Sequence, residues 1–177
     1  STRKPRRKQL SLLLAGKAGL RAIEIANLSW AMVLDSNGGI SQHLNLTNIA
    51  SKGKSGGRSI PLNKDLRLYL NNWLEHSRDR YGFNVHASMV IFTERSTSTS
   101  SQTIVTLFKD WYDVLGFVGC SSHSGRRTFI TNVSKKISLV GGSMRDVQYL
   151  AGHSSLQTTQ RYIEGDSQSQ RKVVDLI

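Results

Sequence analysis

Leu150-Ala151-Gly152-His153 followed by Thr158-Thr159-Gln160-Arg161-Tyr162 is the stretch around which the chain is organised, with the tyrosine nine residues beyond the histidine. Apolar spacing predicts helices over roughly 144–151 and 155–163, so His153 falls in the connection between them and Tyr162 near the end of the second. A lone histidine there is most often a buried imidazole satisfied by backbone. A solitary tyrosine is more often core packing than chemistry. Two other clusters change the weighting: Gly19-Leu20-Arg21, with Glu24 three residues on, and His123-Ser124-Gly125-Arg126. Each pairs residues three apart, which share one face of a helix.

Outward from these motifs the chain reads as α+β, mainly helical, with a small three-stranded antiparallel sheet near the N-terminal side. Lys4, Arg6, Arg7 and Lys8 form a basic arm over residues 1–9 that runs into a first helix ending near Gly16 or Gly19. A short helix follows over Arg21 to Leu28. From Trp30 to about Ala50 the pattern turns to β-type runs broken by Asn37-Gly38-Gly39, a hairpin signal, and a further turn over Lys52 to Gly57 precedes Arg58-Ser59-Ile60-Pro61-Leu62. Asn63 is placed to cap a helix carrying Leu66, Leu70, Trp73 and Leu74. Ser96 to Gln102 reads as a loop and N-cap, and helices follow over about 102–115 and 124–136. No internal repeat divides the chain, so residues 1–177 are expected to form one domain, with residues 163–177 as a C-terminal tail.

The chain has 177 residues, with 24 Lys plus Arg against 12 Asp plus Glu, a formal net charge of +12. Such an excess favours a polyanionic partner, since neutralising phosphates releases condensed counterions. Charge alone fits a simple basic protein equally well. Cys120 is the single cysteine, so no internal disulfide is possible, and a reducing, intracellular, cytoplasmic setting is expected. The apolar run Leu10 to Ala15 is too short to cross a bilayer, so no membrane partner is expected. Cys120 and His123 mimic half of a zinc site, but nothing supplies further ligands at suitable spacing, so neither metal nor cofactor is expected. Gly53-Lys54 lacks the rest of a P-loop, which argues against nucleotide hydrolysis.

Together, the arginine with its acidic neighbour, the lysine-bearing turn, His-x-x-Arg, Gly-His and the tyrosine, in that order, resemble the tyrosine recombinase (integrase) family over most of the chain from about Leu10. The resemblance implies a catalytic domain that cuts and rejoins DNA through a 3′-phosphotyrosine, without metal or ATP. In that reading Tyr162 is the nucleophile, and Arg21 and Arg126 hold the non-bridging oxygens, a task suited to planar, permanently charged guanidiniums. His123 accepts or relays the tyrosine proton. His153 donates a further hydrogen bond to the phosphate, and Glu24 orients its neighbours. Lys52 protonates the departing 5′ oxygen, with Lys54 as a competitor because the turn is one residue longer than the family's commonest form. Lys54, Arg58, Arg127 and Arg161 are expected to contact DNA. Gly125 departs from the leucine the family usually has before this arginine.

The resemblance also implies double-stranded DNA as partner and a homotetramer on paired recombination sites, with a monomer possible without DNA. The family's additional N-terminal core-binding domain has no counterpart here, as expected of a trimmed chain or a short member. The apolar residues Val173, Val174, Leu176 and Ile177 resemble the segment that packs on a neighbouring subunit, and docking within one chain is the alternative. Two other functions stay open: supercoil relaxation in the manner of a type IB topoisomerase, and a non-catalytic DNA-binding regulator of the same fold.

Overall fold

A computed structural model of the chain describes residues 3–51, 57–93, 96–163 and 167–177. Eight α-helices and two strands are present among them: α1 (Arg3–Ala18), α2 (Ala22–Ala26), β1 (His43–Leu46), β2 (Arg58–Pro61), α3 (Lys64–Arg78), α4 (Ser101–Val114), α5 (Ser124–Lys136), α6 (Met144–Ala151), α7 (Leu156–Gln160) and α8 (Ser167–Val174). Helix α1 begins at Arg3, so most of the basic arm is helical.

Local chemistry sets the helix starts. The Asn63 side chain accepts the Leu66 amide at 2.9 Å and Ser100 accepts the Thr103 amide at 3.1 Å, each satisfying an amide that a first helical turn leaves unpaired. The main core lies where α1 to α4 meet, around the fully buried Leu10, Leu14, Trp30, Leu66, Leu70 and Phe108. A second cluster, Ile130, Val147 and Ala151, joins α5 to α6, and Phe129 and Tyr162 pack against it.

The sheet has two strands among the described residues, where the sequence pattern predicts three. β1 and β2 run antiparallel with Leu44 opposite Ile60 and Leu46 opposite Arg58. The hairpin at Asn37-Gly38-Gly39 does form, since Asp35 N donates to Gly39 O at 2.9 Å. Its ladder stops at one bridge, Leu34 to Ile40. Trp30, fully buried, sits in a 3-10 turn over Trp30–Met32 that bends the chain just before the hairpin. At the tip the Asp35 carboxylate accepts the amides of Asn37 and Gly39 at 2.9 and 3.0 Å and closes the turn.

Helix α5 meets α1 at the glycine that departs from the usual leucine. A Cβ on Gly125 would lie 3.1 Å from Ala15 Cβ, so the bare backbone lets the two helices approach. Gly125 therefore tightens the seating of the helix that carries Arg126. At the far end of the chain, Val173 and Val174 of α8 and Leu176 and Ile177 beyond it are exposed. No helix among the described residues is long and apolar enough to cross a membrane.

Candidate active site

Helix α6 opens on a capping box, in which Ser143 N donates to the Asp146 carboxylate at 2.7 Å. It closes on Gly152 in the left-handed conformation, φ 61° and ψ 45°. The last carbonyls of a helix lack helical partners and carry the negative end of its dipole. Here they gather three guanidiniums from three elements. Arg58 Nε, from β2, donates to Leu150 O at 3.0 Å; Arg126 Nη2, from α5, donates to Ala151 O; Arg21 Nη2, at the start of α2, donates to Gly152 O at 2.9 Å. Gly152 must be glycine on a second count: a Cβ would lie 2.6 Å from Arg58 Nη1.

Glu24 lies beneath this fan, fully buried. Arg58 grips it with two parallel bonds of 2.8 and 3.1 Å, and Arg21 Nη1 donates to the same carboxylate at 2.9 Å. The Arg21 amide also donates to it at 2.8 Å. Burial pushes the Glu24 carboxyl up, but the bonds and charges of Arg58 and Arg21 outweigh that and hold it below its ordinary value. Arg126 is 3% exposed, and its Nη1 donates to Gly19 O. Burial, reinforced by the neighbouring guanidinium of Arg21, lowers its pKa to about 10, so it remains cationic at neutral pH. Three guanidiniums against one carboxylate leave a surplus of positive charge suited to an oxyanion.

His153 follows directly. Its Nδ1 lies 3.0 Å from the hydroxyl of the fully buried Thr159, and its carbonyl accepts from Gln148 at 3.1 Å. Its ring stacks on Tyr162, with centroids 5.5 Å apart at 21°. Burial, then Arg126, Arg21 and Arg58, depress its pKa to about 4. The imidazole is therefore neutral at physiological pH. When the Thr159 hydroxyl donates to Nδ1, the neutral ring carries its one proton on Nε2.

An imidazole NMR titration tests this, and a midpoint for His153 near pH 4 is expected, rising when an anion occupies the site. Since the folded value lies below the ordinary 6.5, protonation favours the unfolded chain, and this residue's contribution to stability is lost as pH falls from 6.5 towards 4. A midpoint near 6.5 would show that the guanidiniums do not act on the ring.

Two adjoining cavities open here, sharing Thr158 in their walls. The first, about 530 Å³, is lined by Arg21, Arg58, Tyr149, Gly152 and His153 among others. The second, about 420 Å³, is lined by His123, Ser124, Arg127, Arg161 and Tyr162 among others. The structure thus joins Arg21, Glu24, Arg58, Arg126 and His153 through direct bonds or successive carbonyls. Tyr162 is attached through its stack on His153 and shares its cavity with His123, Arg127 and Arg161. Lys52 and Lys54 lie outside the described residues.

Arg58, assigned to DNA contact in the sequence reading, is instead 5% exposed and bound to Glu24. Thr159 was given no role there. Tyr149 reads in sequence as packing, yet it is 56% exposed and faces the first cavity. The signal for Arg58 was its place two residues before Ile60, on the buried face of a strand; for Thr159, its place between His153 and Tyr162.

The profile of the phage integrase family matches residues 2–169. The chain belongs to that family. It is 32% identical over 164 residues to the tyrosine recombinase XerC of Corynebacterium efficiens, covering 92% of this chain and 48% of that protein. It is 28% identical over 175 residues to the tyrosine recombinase XerA of Pyrococcus horikoshii, covering 96% of this chain and 54% of that protein. The chain thus spans about half the length of the curated relatives it matches. Among solved structures, a XerA recombinase superimposes with a TM-score of 0.73 at 20% identity, over 97% of this chain and 56% of that one. A XerH site-specific recombinase bound to its difH substrate superimposes with 0.72 at 19% identity, over 98% of this chain and 48% of that one. At these identities the two structures establish the shared fold.

Proposed function

We propose that this chain is the strand-cleaving part of a site-specific DNA recombinase, acting on double-stranded DNA through a 3′-phosphotyrosine. The observation that carries the reading is the convergence of Arg21, Arg58 and Arg126 on the carbonyls of residues 150–152, beside a neutral His153 stacked on Tyr162. A phosphodiester repels nucleophiles, and its transition state adds charge to the equatorial oxygens. Preorganised cations and N–H donors lower that barrier.

The step balances simply. Tyr162 Oη bonds to phosphorus, the bond from phosphorus to the 5′ oxygen breaks, the phenolic proton passes to His123, and Lys52 or Lys54 protonates the leaving oxygen. Energy is retained in the phosphotyrosine ester, so rejoining needs no ATP. Arg127 and Arg161, exposed beside Tyr162, are suited to flanking backbone phosphates. The exposed apolar end of α8 supports assembly of several copies on paired sites, because four large apolar side chains in water favour a protein surface to cover them.

The test is capture on a nicked duplex that loses its 5′-hydroxyl strand after cleavage and so cannot be resealed. A denaturant-resistant adduct at the 3′ end is expected. Plasmid relaxation without joining of partner sites would favour a topoisomerase, and tight binding with no adduct a regulator.

A further inference from the structure

Tyr149 is the one phenol lining the cavity that holds Arg21, Arg58 and His153. It lies on α6 between Val147 and Ala151, both buried, which directs it away from the second core cluster. The residue is 56% exposed, although a tyrosine at a helix end next to a core would ordinarily bury much of its apolar area. The ring is held in place. The backbone amide of Ser59 donates to Tyr149 Oη at 3.2 Å, tying α6 to β2, a strand whose only ladder partner among the described residues is β1.

The direction of that bond decides what the hydroxyl can do next. An amide N–H can only donate, so Tyr149 Oη is the acceptor towards Ser59 and its own proton is left for a second partner. Among the described residues that proton is given to nothing, and the cavity lies in front of it. Around the cavity Arg21 and Arg58 bring positive charge and Ser51, Gln148, Ser154 and Thr158 bring polar groups able to donate, so the cavity suits an anionic ligand as the acceptor for the Tyr149 proton.

We propose that Tyr149 is a further catalytic residue, its hydroxyl donating to a non-bridging oxygen of the scissile DNA phosphate held by Arg21 and His153. The inference rests on the recombinase reading above. It gives the site two phenols with separate tasks. Tyr162 attacks phosphorus and becomes esterified; Tyr149 keeps its proton and stabilises charge on an oxygen that stays bonded to phosphorus. Ser59 sets the angle of that donor, and no bond to Tyr149 is made or broken in the reaction.

The experiment measures single-turnover adduct formation by the wild-type chain and Tyr149→Phe on three nicked duplexes: the natural phosphodiester and the two stereoisomers with one non-bridging oxygen replaced by sulfur, a poor hydrogen-bond acceptor. On the natural duplex Tyr149→Phe is expected to slow cleavage by about 10²-fold, the size of effect seen when one preorganised donor is removed. DNA binding should change little. On one sulfur stereoisomer the difference between the two proteins should nearly vanish, while on the other it should persist. An equal penalty on all three duplexes overturns the proposal, because a residue that merely braces β2 does not distinguish the two oxygens. No penalty on any duplex overturns it as well. Failure of the wild-type chain to form an adduct on the natural duplex is a separate outcome, which removes the recombinase reading and this inference with it.

Discussion

Tyr162→Phe is expected to abolish the covalent DNA adduct while leaving folding and DNA binding nearly unchanged. The ring, not the hydroxyl, makes the contacts that hold this residue: it stacks on His153 and packs against the cluster of Ile130, Val147 and Ala151. Phenylalanine preserves both, so stability should move by no more than about 0.5 kcal/mol. Affinity for a nicked duplex should stay within about threefold, since Arg21, Arg126, Arg127 and Arg161, to which the proposed function gives the phosphate contacts, are untouched. What disappears is the oxygen that, in the proposed function, bonds to phosphorus. No rearrangement replaces it cheaply, because a nucleophile must approach phosphorus opposite the leaving oxygen. Gel-resolved adduct, filter-bound DNA and a thermal melt on the same preparation separate the three quantities. An adduct that survives would place the nucleophile elsewhere, and peptide mapping would show whether the other cavity phenol, Tyr149, had taken it. Loss of binding together with the adduct would instead make Tyr162 part of the docking surface.

Sequence reasoning reached the helices and the two arginine motifs because their signals are local. Asn63 and Ser100 cap helices with their own side chains, Gly152 ends one by its conformation, and the spacing of Leu66, Leu70, Trp73 and Leu74 defines a buried face. It over-counted the sheet because hairpin chemistry at Asn37-Gly38-Gly39 fixes a turn and says nothing about how far pairing extends from it. The buried Trp30 limited that extent, and its burial depends on residues distant in sequence. At the site, the bond from Arg58 to Glu24 spans 34 positions and the one from Ser59 to Tyr149 spans 90. No local pattern reports such contacts. In a chain with 24 basic residues, Arg58 is indistinguishable in one dimension from an arginine that touches DNA. The same holds for Tyr149, whose place directly before Leu150 and Ala151 suggests packing, while its tie to β2 comes from Ser59, far away in sequence.

Removing the carboxylate at Glu24 should have the largest effect on stability of any single change at the site. Its side chain is 0% exposed and that of Arg58 2%, so Glu24→Ala takes from a buried guanidinium the carboxylate it grips with two bonds. Breaking one half of such a pair costs about 3–5 kcal/mol. For a domain of this size that corresponds to a fall in melting temperature on the order of 10 °C. The pH dependence has a definite sign. Because the folded-state pKa of Glu24 lies below its ordinary 4.5, the stabilisation is present above 4.5 and is lost as pH falls through the lower folded value. The gap between wild type and variant should therefore be widest near neutrality and close in strong acid. A second change separates stability from function. Glu24→Leu combined with Arg58→Met replaces the pair by apolar groups of similar bulk and should recover much of the melting temperature, as such replacements often do. Activity should not return with it, since Arg21 would lose the carboxylate that fixes its fork beside Gly152 and could no longer offer two donors in one geometry. A double variant that melts like wild type and still cleaves would show that the carboxylate serves folding alone. Glu24→Ala melting within about 2 °C of wild type would show that the pair contributes little to either.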